Sequence, residues 1–99
     1  MDVRTTCNKK IKETHDDSKL IFLEKTHKMH MAFIRDFINT RDILKCSQSN
    51  LAKITGVQQP IISRFENNIS NPHLRTILKL LAGIGYKIKL VPDKEQHKK

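Results

Sequence analysis

The sequence predicts a mainly α protein: five helices, one C-terminal β-strand and an N-terminal extension ahead of the helices. Three observations carry that expectation. Apolar residues recur at helical spacing between Ser18 and Ile84. Two short amphipathic runs meet at Gly56, as two helices around a sharp turn would. After Gly85 the period changes, and Tyr86, Ile88 and Leu90 alternate with Lys87, Lys89 and Val91.

The elements follow in order. Residues 1–17 are polar and basic, with Val3 and Ile11 isolated, and are expected to form a mobile arm because they bury too little to offset their ordering entropy. Residues 18–85 form the helical domain. Asp17 or Ser18 is placed to cap a short helix holding Leu20, Ile21 and Leu23. Met31, Ile34, Ile38 and Arg41 then share one face of a longer helix ending near Leu44, and Phe33 and Phe37 widen that face. The two short helices occupy residues 47–66. Asn71 and Pro72 suit the start of the last helix, whose stripe is Leu74, Ile77, Leu78, Leu81 and Ile84, with Gly83 and Gly85 at its end. Residues 86–92 read as a half-buried strand stopped by Pro92, and 93–99 as a charged tail.

Bulk properties narrow the partners. The chain has 99 residues, a formal charge of +9 and a pI near 9.8, which suits a polyanion, a membrane surface or an acidic protein. The two cysteines, Cys7 and Cys46, follow no zinc spacing and suggest no disulfide framework, so a reducing, cytoplasmic setting is expected. No apolar run nears the ~20 residues of a membrane span, and Met1 to Asn8 lack a secretory pattern.

The chemistry concentrates between Ser47 and Glu66. Ser47 can cap the first short helix and leaves Gln48 in its opening turn, with Leu51 and Ile54 facing inward. Ala52 is small where the second helix crosses, and Gly56 can take the left-handed turn conformation. Val57, Ile62 and Phe65 are spaced to seat the second helix on the core. Gln58, Gln59, Pro60, Ser63 and Arg64 are left on its start and outer face. Gln and Arg are the side chains that pair bidentately with adenine and guanine edges in the major groove.

Residues 41–84 resemble the helix-turn-helix of the Cro/C1-type (XRE-type) phage repressor family, with a λ-repressor-like fold. The positions in register are Arg41, Ser47-Gln48, Leu51-Ala52, Gly56-Val57, Gln59-Pro60, Ile62-Ser63-Arg64, Glu66 and Asn71-Pro72. The resemblance implies a phosphate contact from Gln48, base reading by Gln59 and Arg64, and contact of Pro60 with a thymine methyl. Gln58, Ser63 and Asn68 join that DNA-facing set. Arg41 and Glu66 look like the family's buried ion pair. The pattern departs at Lys45 and Asn68, where glycine is usual, and at Cys46, where an aliphatic is usual.

The wider layout most resembles HigA-type antitoxins: compact length, an N-terminal extension and a terminal strand ending in Val91-Pro92. That resemblance implies autoregulation and a toxin partner that is a small ribosome-dependent ribonuclease. The remaining readings are a stand-alone phage-type repressor, or an interaction module that kept the fold without DNA binding. Gln48, Gln59 and Arg64 favour DNA, since a module freed from it has no need of that set.

Other features have bland explanations. Cys7, His15, His27 and His30 are spaced too loosely for a metal site, and no catalytic constellation or cofactor site is organised. Lys9, Lys10 and Lys12 fit a solvated arm. Ile43 and Leu44 suggest either one core and one exposed residue or a partner-facing patch. A lone strand lacks a partner in its own chain, so Tyr86, Ile88 and Leu90 are expected to pair with a second copy, giving a homodimer on a palindromic double-stranded operator.

Overall fold

A computed structural model describes residues 16–93, in four helices: α1 (Asp16–Ile43), α2 (Gln48–Thr55), α3 (Gln59–Glu66) and α4 (Leu74–Gly83). The expected five helices become four because the first two are one. No glycine or proline interrupts residues 16–43, so the backbone ladder runs on through a stretch whose apolar pattern changes face. At about 1.5 Å per residue, 28 residues make a rod of ~42 Å, which accounts for most of the 47 Å long axis. None of the described helices is long and apolar enough to cross a membrane.

Four left-handed residues end the four helices. Lys45 (φ 58°), Asn68 (φ 57°) and Gly85 (φ 83°) each close a two-bond reversal. The outer bonds are Cys46 N–H to Arg41 O, Ile69 N–H to Arg64 O and Tyr86 N–H to Leu81 O, at 2.8 to 3.0 Å. Gly56 (φ 80°) ends α2 with a single bond to Ala52 O. Lys45 and Asn68 therefore stand where the backbone favours glycine, which is the physical content of those two departures from the family pattern.

The core joins Ile34 and Phe37 of α1, Leu51 of α2, Val57, Ile62 and Phe65 around α3, and Leu80, Leu81 and Ile84 of α4. Phe65 lies fully buried between Phe33 and Phe37, with ring centroids 6.2 and 5.4 Å away. Met31 and Ile38 pack on its edge. Ile54 is 62% exposed rather than inward, and Leu74 and Leu78 also face solvent. The run 74–84 holds apolar residues on two overlapping helical stripes, and the one through Ile77, Leu80, Leu81 and Ile84 is buried. Close approach to α2 selects it: a Cβ on Gly83 would meet Thr55 Cγ2 at 2.5 Å and Leu51 Cδ1 at 2.8 Å. The N-cap of α4 is His73, not Asn71, and it makes no side-chain cap bond.

The expected C-terminal strand is absent among the described residues. A strand is defined by its ladder, and residues 86–93 find no extended neighbour. They run back along α1 instead. Ile88 lines a groove with Phe33 and Phe37, and Lys25 holds Asp93 in an ion pair. Leu90, expected to cover the helices with Tyr86 and Ile88, is 93% exposed. Ile43 and Leu44 are both exposed, so neither completes the core.

Candidate nucleic-acid interface

The site is built where α2 and α3 begin. Ser47 Oγ accepts from Asn50 N–H at 3.0 Å and starts α2. Thr55 Oγ donates to Leu51 O and accepts from Val57 N–H, which closes the turn after Gly56. Gln58 in extended conformation and Pro60 in the first turn start α3. Neither first turn holds a carboxylate, so the partial positive charge of both helix starts stands unopposed toward an anion.

Beneath this surface sits the Arg41–Glu66 pair. Arg41 Nε and Nη2 donate to the two carboxylate oxygens, each at 2.8 Å, and Nη1 donates to Cys46 O at 3.0 Å. Arg41 is 8% exposed and Glu66 9%. The hydrogen bond to Glu66 holds Arg41 more firmly protonated than usual, outweighing its desolvation. Such a bidentate, two-sided arrangement locks the end of α1 to the end of α3.

The network continues outward. Gln48 Nε2 donates to Glu66 Oε1 at 2.7 Å, so the amide's carbonyl points away from the carboxylate. Gln48 Oε1 accepts from Gln59 Nε2, and Ser49 Oγ donates to Gln59 Oε1, both at 3.4 Å. The structure thus brings Gln48 and Gln59 together. Gln58, Gln59, Pro60 and Arg64 are exposed, Ser63 is half-buried, and Asn68 is exposed beyond the helix end. Among the described residues no carboxylate pairs with Arg64. Two participants escaped the sequence reading. Ser49 orients Gln59, and Asn67 Nδ2 donates to Ser63 O at 2.9 Å. Their spacings, one residue after Gln48 and four after Ser63, were the available signals.

Fold and site together define a helix-turn-helix module, with α3 as its outward helix. The chain belongs to the helix-turn-helix family, whose pattern matches residues 39–91, more than half of its length. A Haemophilus influenzae relative, described as an uncharacterized HTH-type transcriptional regulator, is 42% identical over 64 residues. That match spans 65% of this chain and only 65% of the relative. A solved structure described as a toxin–antitoxin module from Streptococcus pneumoniae superposes with a TM-score of 0.57 at 29% identity, over 86% of this chain and 89% of its own. Cys7 and His15, the other half of the metal set considered from sequence, lie outside the described residues.

Proposed function

We infer that this chain is a sequence-specific DNA-binding regulator that represses its own operon and serves as the antitoxin of a toxin–antitoxin pair. One observation carries the DNA reading: Gln59 and Arg64 project from a short helix whose opposite face, Ile62, Phe65 and Glu66, is sunk in the core. Base edges in the major groove are met by such rigidly seated Gln and Arg side chains. Gln48, Gln58, Pro60, Ser63 and Asn68 complete the DNA-facing set, with Gln48 at a phosphate.

The antitoxin reading draws on the likeness to the pneumococcal module, which covers more of this chain than residues 39–91 alone and so includes regions flanking the helix-turn-helix. The resemblance to HigA-type antitoxins names the toxin class as a ribosome-dependent ribonuclease. A palindromic operator calls for a homodimer with recognition helices about 34 Å apart or a multiple. Exposed Tyr86 and Leu90 are among the apolar side chains available to it, without a ladder, and exposed Ile43 on α1 is another.

The test is a titration against the promoter DNA of the chain's own operon and against random duplex. Arg64→Ala and Gln59→Ala should each cost ~1–3 kcal/mol on the operator and relax preference at particular base pairs. Equal losses on both DNAs would remove base reading from these residues. Sedimentation of the operator complex gives its protein stoichiometry, and one chain per palindrome would exclude the dimer.

A further inference from the structure

Resting on the toxin-partner reading above, we propose that the groove between the middle of α1 and residues 91–93 is the docking site for an acidic, amphipathic segment of the partner toxin. The groove encloses about 1010 Å³. Its floor is apolar: Met29, Met31 and Ala32 from the helix, Val91 from the returning segment. Met29 and Val91 are 64% and 70% exposed, so this floor is wet in the isolated chain. Its rim is cationic, with Lys28 and Arg35 two turns apart on the same face. The nearby carboxylate, Asp93, is already held by Lys25.

Ile21, two turns before Met29 on the same face, is 60% exposed, with Lys25 between them. Apolar anchors flanked by carboxylates satisfy both floor and rim. A second copy of this chain does not. Two-fold pairing would set Lys28 and Arg35 against their own images in a protein already carrying +9. Nucleic acid would neutralise the rim and leave Met29, Ala32 and Val91 in water. Gln59 and Arg64 do not line the groove, so toxin and operator can be held at once.

The experiment uses the full chain with the purified product of the adjacent reading frame in its operon. Calorimetry measures the wild type, Lys28→Glu/Arg35→Glu, and the charge-matched Arg75→Glu/Lys79→Glu on exposed positions of α4. The groove variant should weaken the complex about tenfold or more, the α4 variant about twofold or less, and added salt should weaken the wild-type complex. Val91→Arg, which fills the floor from outside any helix, should reproduce the loss without touching α1. Equal affinities for the groove variants and the wild type, or equal losses in the groove and α4 variants, overturn the groove. Loss of random-duplex binding in the groove variant alone, with toxin still bound, assigns the groove to nucleic acid and overturns it too. No wild-type complex at all overturns the toxin-partner reading itself.

Discussion

Gln48 links the buried carboxylate of Glu66 to the exposed amide of Gln59, donating to one at 2.7 Å and accepting from the other at 3.4 Å. One side chain thus transmits the orientation fixed in the core to the exposed start of α3, the surface proposed to read bases. Replacing it by Ala leaves the bidentate Arg41–Glu66 contact in place, so the expected stability loss is only about 1 kcal/mol. DNA binding should fall on every sequence through the lost phosphate contact. It should fall further on the operator, because Gln59 loses its acceptor. Titration on operator and random duplex checks this, and a loss confined to random DNA would contradict it.

Glu66→Gln removes the anion from a buried guanidinium. An uncompensated buried charge costs ~3–5 kcal/mol, so the melting temperature should drop clearly. The pH dependence has a definite sign. Arg41 is raised in the folded state, so its stabilisation is complete below its unfolded pKa and disappears only above the folded one. Both lie in strong alkali. Deprotonation of Arg41 should therefore remove no stability between neutral pH and the mildly alkaline range, as thermal melts across that range would show.

Lys45→Gly should stabilise the fold by up to about 1 kcal/mol. An L side chain at φ 58° carries a steric cost that glycine escapes, partly offset by glycine's greater freedom when unfolded. Asn68→Gly should gain less, since Asn tolerates this conformation better. Gly56→Ala should lose about 1 kcal/mol although its Cβ would meet nothing within 4 Å, because the penalty is in the backbone. Denaturant midpoints order the three.

Gly83→Ala should destabilise by ~1–3 kcal/mol for the opposite reason, overpacking against Thr55 and Leu51. Thr55→Ser removes the nearer methyl while keeping the hydroxyl bonded to Leu51 O and Val57 N–H. Combining the two should recover part of the loss. A double-mutant cycle that is strictly additive would show that α2 and α4 do not meet there.

What the sequence disclosed was set by local signals. The turn at Gly56, the cap at Ser47, and the pairing of Arg41 with Glu66 were legible because each rests on residue types at short or family-marked spacing. The face of α4 was not. Leu78 and Leu80 are equally apolar, and only the proximity of α2 decides which one is buried. The division of α1 into two helices followed a shift in apolar phase, yet a helix needs a breaker to stop, and none is present before Lys45. The strand failed for want of a second strand, since alternation describes a segment's faces and not its hydrogen bonds.

The unbroken α1 acts as a ruler. Lys28, on the groove rim, and Arg41, anchored to α3 through Glu66, are thirteen residues apart on one rigid rod, or about 20 Å along its axis. Anything seated at the first mark stands at a set distance and bearing from the outward face of α3, which the second holds. Inserting one residue between Arg35 and Arg41 would turn Lys28 and Arg35 by roughly 100° about the rod relative to Arg41, and so carry the α1 wall of the groove away from residues 91–93.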